Sequence, residues 1–354
     1  ITDLHAGRIH QPKSNKELPM AENSAISWTD HTMNFWIGCT KVSPACTNCY
    51  AAVDTFARRE RSHGRELWGP HADRHRTSAA LWKKPYAWNK DQWQECRNCG
   101  WRGSNKMVFF EDAVDICPRC EVGNSLFVTR QRVFVSSLSD ICEIHPQITD
   151  DMRREIAKIV MDCTNLDFLF LTKRPENFNL LWLELFGGAL PDNLWVGTTV
   201  ENQKYADERI PALVNIPAKV RFLSCEPLLE PIDLWSAWNK SSDNPITNGI
   251  GDEIDWVIAG GESGSKARPM HPSWVRNLRN QCQITGIKFH FKQWGEYAPW
   301  NMEFGAIKDY QAVYAERNGT FSETPSGTHM TMCRVGKKNA GRLLDGVEHN
   351  EFPK

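Results

Sequence analysis

No stretch of the sequence is apolar for long enough to span a bilayer. Its beginning has none of the charged-then-apolar layout of a secretory signal. Surplus charge is also missing: 42 Lys and Arg stand against 43 Asp and Glu, a net charge of −1. That balance excludes a global basic field for nucleic acid, so any such binding must come from local patches. What the sequence does have is cysteine, 12 in all. Several fall in C-x2-C pairs, which suits metal in a reducing cytoplasm rather than a secreted disulfide framework. The sequence therefore predicts a cytoplasmic protein without a membrane partner. Its 354 residues, 41% hydrophobic, suffice for one large domain or two modest ones. The 15 tryptophans read mostly as core, with some available to line a pocket.

The chain is organised around Gly38 to Tyr50, GCTKVSPACTNCY, where Cys39, Cys46 and Cys49 stand in a C-x6-C-x2-C spacing. The loop follows a short aromatic, β-prone run, Asn34 to Ile37. Thiolates bind soft metals, and the x2 pair lets two sulfurs converge on one centre. Three sulfurs can hold an iron–sulfur cluster with one iron left open, or a zinc ion completed by a distant residue such as His31. A second cysteine system, Cys96, Cys99, Cys117 and Cys120, has the C-x2-C-x17-C-x2-C spacing of a zinc ribbon. Its expected role is to staple an insertion with too little core of its own. Arg97, Arg102 and Arg119 are its candidate nucleic-acid contacts. Between the two systems, the basic and aromatic stretch Leu67 to Trp93 reads equally as a grip on a nucleic-acid strand or as surface with packed rings.

From Arg132 onward, short apolar strands alternate with helices. Strands are expected at 132–136, 166–172, 194–198, 220–224, 254–259 and 287–291, and helices at 51–65, 149–163, from Pro175 to about Phe186, and at about 204–214 and 272–284. Such alternation means parallel strands with right-handed crossovers, here an α/β fold that forms a partial or nearly closed (β/α) barrel. Most strands end in a polar or charged residue: Ser136, Lys173, Thr198, Glu201, Glu226, Glu262 and Lys292. In such folds that rim binds ligands. Lys173, Arg174, Lys266, Arg268 and Lys292 suit phosphate or carboxylate there. The segments are expected to divide as 1–19, a disordered tail or added residues ahead of a plausible start at Met20; 20–91, the first strand, cluster loop and helix; 92–128, the ribbon; 129–295, the remaining barrel; and 296–354, an extension packed on it. Residues 235–251 read as a polar loop.

From about Ile26 onward, the ribbon apart, the chain resembles the phage Gp37/Gp68 family. The stretches that carry this are SWTDHTMNFWIGCTKVSPACTNCYA, VFVSSLSD, FLTKRP, RIPALVNIPAKVRFLSCEPLL, WVIAGGESGSKARPMHPSWVRNLRNQC, FKQWGE and KKNAGRLLDG. That family in turn is similar to radical S-adenosylmethionine enzymes, distantly to the spore photoproduct lyase group. The resemblance implies a barrel of the radical SAM type with a [4Fe-4S] cluster on Cys39, Cys46 and Cys49. S-adenosylmethionine would take the open iron, and an electron donor such as flavodoxin or ferredoxin would reduce the cluster. It further implies Ser136, Ser137 and Asp140 at the SAM amino group, and Thr199, Glu201, Ser224 and Glu226 along ribose and methionine. Gly260 and Gly261 would lie beside the adenine. A nucleobase, nucleotide or nucleic acid would be the substrate, repaired or modified, with Arg174, Lys266, Arg268 and Lys292 contacting it. The candidates for catalytic roles are Lys173, Glu262 and Cys225, the last as a hydrogen-atom donor or else as core. The x6 spacing and Asn48 before the third cysteine depart from the usual pattern, x3 and an aromatic. Two other readings are a zinc-stabilised nucleic-acid-binding module without catalysis and acid–base hydrolysis by Glu201, Glu226 and Glu262.

Overall fold

The computed structural model describes residues 21–353 other than 23, 54, 112–113, 240–248, 301–311 and 324–328. The tail expected at 1–19 and the middle of the polar loop at 235–251 lie outside the described residues. The main sheet contains seven parallel strands whose spatial order is their chain order. They are β1 (His31–Met33), β2 (Gln131–Val135), β3 (Leu166–Thr172), β4 (Leu194–Thr199), β5 (Val220–Cys225), β6 (Trp256–Gly260) and β7 (Lys288–Gln293). Adjacent strands pair in register, Phe134 with Thr32 and Leu169, Thr198 with Thr172 and Leu223, except for a shift between Ala259 and Gly260 where β6 meets β7. The sheet curls into a half-barrel. Its two edges are covered: Ala21–Glu22 pairs antiparallel with β1, and the C-terminal tail bridges Asn350 to His290 of β7. Such coverage shields these ladders from pairing with another chain.

The principal helices are α1 (Thr55–Ser62), α2 (Asp150–Asp162), α3 (Gln203–Val214) and α4 (Pro272–Thr285). Thr149 caps α2 by accepting from the Met152 amide at 3.3 Å, and Asp150 and Asp151 in its first turn oppose the helix dipole. Ile156 and Val160 of α2, Ile210 of α3 and Leu278 of α4 pack against Val133, Phe168, Val196, Leu223, Val257 and Phe289. Alternate residues of the same strands, Phe134, Leu169, Trp195, Phe222, Trp256 and Ile258, form a second core with Trp28. These residues lie on the concave face, since successive side chains of a strand point to opposite faces. Trp256 lies edge-on to Trp28 and Trp195, with centroids 6.2 and 6.3 Å away, and Phe352 of the tail reaches to 5.0 Å of it. Part of the tryptophan surplus is thus a plug that fills the concave face below its C-terminal rim.

Several expectations need correction. The first barrel strand is His31–Met33, not the run Asn34 to Ile37. Asn34 leaves the sheet because its side chain bonds sideways, to the Leu138 amide at 2.7 Å and Ser137 Oγ at 2.8 Å. Trp36–Ile37 then pairs antiparallel with His75–Arg76. The helix expected after Pro175 is a broken one, with 3-10 turns at Pro175–Asn177 and Glu184–Phe186 around a π turn at Asn179–Leu183. The segment expected as helix from Ala51 begins as a 3-10 turn, Tyr50–Val53, before α1. Short helices Leu234–Asn239 and Ile250–Glu253 occupy the ends of the expected polar loop.

Two small sheets flank the half-barrel. Arg102–Ser104, Trp93–Cys96 and Leu126–Thr129 form an antiparallel sheet around the second cysteine system. Tyr297–Pro299, His329–Arg334, Ala312–Glu316 and Phe321–Ser322 form another, tied to α4 by Trp274 Nε1 donating to the Gly319 carbonyl at 3.1 Å. Among the described residues, no helix is long and apolar enough to cross a membrane.

Candidate metal and cofactor site at the strand ends

Gly38 turns the chain off the barrel with φ +112°, and a Cβ there would lie 2.5 Å from the Leu67 carbonyl oxygen. Only glycine meets both conditions. The loop that follows is held by residues from four strand ends. After β2, Glu143 Oε1 accepts from the Thr40 amide at 2.9 Å, and the Ser137 carbonyl accepts from Tyr50 OH at 2.7 Å. After β3, Arg174 Nη2 donates to the Thr40 carbonyl at 2.7 Å. After β4, Glu201 Oε1 accepts from the Ala45 amide at 3.3 Å. After β6, Arg268 Nη2 donates to the Pro44 carbonyl at 3.0 Å, and Glu262 Oε2 accepts from Asn48 Nδ2 at 3.1 Å. The cysteine loop therefore lies across the C-terminal mouth of the half-barrel.

Cys39, Cys46 and Cys49 are all free thiols, Cys46 buried and the other two half-buried. Burial pushes the Cys39 thiol far up, Asp140 and Glu143 add to this, and Arg174 opposes them. Among the described residues, Cys96, Cys99, Cys117 and Cys120 are the one group of three or more His, Cys, Asp or Glu ligand atoms lying within 4.8 Å of one another. The loop sulfurs are thus more widely spread than ligands of a single zinc, where Zn–S bonds of about 2.3 Å draw sulfurs together. Three free thiolates are the donor chemistry of an iron–sulfur cluster, in which each would bind a different metal atom. His31 is committed elsewhere: Nε2 lies 2.7 Å from Gln131 Oε1, and its ring stacks on Trp88 at 4.2 Å.

Strand alternation carries Lys173, Thr199, Ser224, Glu226, Gly260 and Lys292 onto the concave face above the tryptophan plug. Ser136 takes φ +69°, rare for a residue with a side chain. Its buried hydroxyl has no hydrogen-bond partner, and neither does that of Ser139 nearby. Lys173 Nζ donates to Thr199 Oγ1 at 3.3 Å. Asp140 is at the rim but already receives Thr172 Oγ1 at 2.6 Å, the Lys173 amide at 2.9 Å and the Arg174 guanidinium at 2.8 Å. A Cβ on Gly261 would run into the Trp294 carbonyl, so glycine there serves the approach of two backbone segments. Cys225 falls on the other face, fully buried among the helices, with its thiol pushed far up by burial.

The rim carboxylates each have their own cation: Glu201 pairs with Arg209 at 2.9 Å, Glu226 with Lys292 at 2.7 Å and Glu262 with Arg268 at 2.6 Å. Burial raises Glu262, but hydrogen bonds from Arg268 and Asn48 outweigh it and hold the carboxyl below its ordinary value. Each of these carboxylates is thus committed to a cation of its own. Three of the four cations expected to meet substrate, Arg174, Arg268 and Lys292, are therefore engaged within the protein; Lys266 is exposed.

Arg74 and Glu143 are central to the loop and were not legible as a pair. The fully buried Arg74 guanidinium donates to both Glu143 oxygens at 2.8 Å and to Thr40 Oγ1 at 2.9 Å. It came from the basic stretch Leu67 to Trp93, whose Trp82 and Trp88 are also core. A buried arginine demands a carboxylate, and that was the only available signal.

In the second cysteine system, Cys96 lies 3.7 Å from Cys120 and Cys99 lies 3.7 Å from Cys117, sulfur to sulfur. This four-cysteine group can hold a metal ion. Burial raises the Cys96 thiol, yet the Ser125 hydroxyl and the amides of Cys99 and Asn98 bring it down to about 6. Arg102, a candidate nucleic-acid contact, instead ties this sheet to the barrel through Asp30 at 3.1 Å and the Arg130 carbonyl at 2.7 Å. Arg97 lies over Phe127 at 5.3 Å, and Arg119 is exposed.

A family model described as "Protein of unknown function (DUF5131)" matches residues 23–353, and the chain belongs to that family. No curated protein and no solved structure matches the chain.

Proposed function

We propose that this member of the family is a radical S-adenosylmethionine enzyme acting in the cytoplasm on a nucleobase, nucleotide or nucleic acid. Cys39, Cys46 and Cys49 would hold a [4Fe-4S] cluster, and Cys96, Cys99, Cys117 and Cys120 a structural zinc. The observation that carries the reading is the seat of the three-thiol loop, clasped from four strand ends over a polar concave face. The resemblance to the phage Gp37/Gp68 family and, distantly, to spore photoproduct lyase belongs to the same proposal.

When bound, the cluster and S-adenosylmethionine supply a 5'-deoxyadenosyl radical that takes a hydrogen atom from the substrate; the protein binds, orients and excludes water. On this reading the orphaned Ser136 hydroxyl finds its partner in the polar end of S-adenosylmethionine. Lys173 offers positive charge to the carboxylate, and Thr199 and Ser224 add hydroxyls beside it. The Glu226–Lys292 pair fixes the far side of the concave face. The tryptophan plug below keeps water out from beneath. Lys266, exposed at the rim, is the cation available to substrate phosphate.

Anaerobic reconstitution tests this. The expected result is about four irons per chain at the loop and 5'-deoxyadenosine formed on addition of S-adenosylmethionine and a reductant. Zinc bound at Cys39, Cys46 and Cys49, or an intact cluster that yields no 5'-deoxyadenosine, would count against it.

A further inference from the structure

Two arginines from different parts of the chain meet at Cys39 and Thr40, and they are not equivalent. Arg74 spends its donors on oxygen: both Glu143 oxygens, Thr40 Oγ1 and the carbonyls of Gly69 and Ala72. Arg174 grips the same segment through the Thr40 carbonyl at 2.7 Å, pairs with Asp140 at 2.8 Å, and places Nη1 3.8 Å from Cys39 Sγ. At Cys46 the corresponding sulfur contact is a neutral one, Ser43 Oγ at 3.8 Å.

We infer that Arg174 is the counter-ion of the Cys39 thiolate and raises the potential at which the cluster accepts its electron, while Arg74 only anchors the loop. The inference rests on the cluster reading given above. Hydrogen bonds and positive charge at a cluster's sulfurs favour its more negative, reduced form. Glu143 already has Arg74 as its cation, whereas Asp140 depends on Arg174. Removing the Arg174 charge therefore acts twice in one direction. The thiolate loses its cation, and Asp140 is left as an uncompensated negative charge beside it. The step is a one-electron reduction by an external one-electron donor; no bond forms or breaks, and Arg174 remains protonated throughout.

The test uses the full-length protein reconstituted anaerobically, with Arg174→Gln and Arg174→Lys beside the wild type. Iron and sulfide are counted, and the midpoint is read by EPR during titration with dithionite. Arg174→Gln should keep its iron and be reduced at least about tenfold less favourably, about 59 mV lower for a one-electron couple. Arg174→Lys, which keeps the charge, should lie closer to the wild type. A fully loaded Arg174→Gln protein with an unchanged midpoint overturns the inference. If Arg174→Gln takes up no iron, the lysine variant decides: a cluster in Arg174→Lys supports a need for charge, and loss in both leaves Arg174 a clasp and overturns it. A wild type that takes up no iron at the loop sinks the cluster reading itself; failure confined to the variants sinks this inference alone.

Discussion

The two cysteine systems of this chain are built in opposite ways. In the four-cysteine group all four sulfurs lie within 4.8 Å of one another, and the groups that steer them, Ser125 and the neighbouring amides, are local. In the loop, three thiols stand apart, and their segment is positioned by partners as distant as Arg174, 134 residues from Thr40, and Arg268, 224 residues from Pro44. A closed site can be written into one short stretch. On the cluster reading, the loop would be an open site that takes its geometry from the fold around it, since three thiolates alone do not fix a coordination sphere.

The contrast can be broken most sharply at the metal ligands. Cys46→Ala should abolish loop iron and reduce 5'-deoxyadenosine to background while leaving ribbon metal intact by elemental analysis. Cys99→Ser should do the reverse: it should lose ribbon metal and unfold residues 92–128, as hydrogen exchange would read, and leave loop iron bound. An equal loss of both metals in either variant would join the two systems that the structure keeps apart. Next in size is Glu143→Ala, which strands the buried Arg74 guanidinium; denaturant unfolding should show a loss of about 3–5 kcal/mol. A cost of less than about 1 kcal/mol would mean that the loop is not anchored there.

A smaller effect concerns acid. Because the folded-state carboxyl of Glu262 is held below its ordinary value, its contribution is complete above the unfolded value of 4.5 and is lost as the pH falls below that. The Asn48 and Arg268 contacts should loosen in the same window, and protection of the loop amides in hydrogen exchange should fall with them. Glu262→Gln should lose the clasp at neutral pH and flatten that dependence. The smallest change expected is Thr149→Ala, at about 1 kcal/mol for a lost helix cap, with both metal contents unchanged.

Strands β2 to β7 were legible because a parallel strand, covered on both faces, reads as a short continuous apolar run. LDFLFLT at Leu166–Thr172 matches its strand residue for residue. His31–Met33 was missed because a three-residue strand containing histidine and threonine carries no such signal. The polar rim was legible as a set of strand-end positions, and the four-cysteine group as a spacing. Pairing was not: Arg174, Arg268 and Lys292 read as free cations, and Glu201, Glu226 and Glu262 as free acids, because composition counts charges without assigning partners. Cys225 looked like a rim residue because it adjoins Glu226, yet the alternation of the strand turns it to the helix side.

The most direct measurement is EPR of the anaerobically reduced protein with and without S-adenosylmethionine, after elemental analysis has located the metals. The account predicts the signal of a reduced four-iron cluster that is lost in Cys46→Ala and changes shape when S-adenosylmethionine is added. A silent protein carrying zinc on Cys39, Cys46 and Cys49, or a cluster signal indifferent to S-adenosylmethionine, would contradict it.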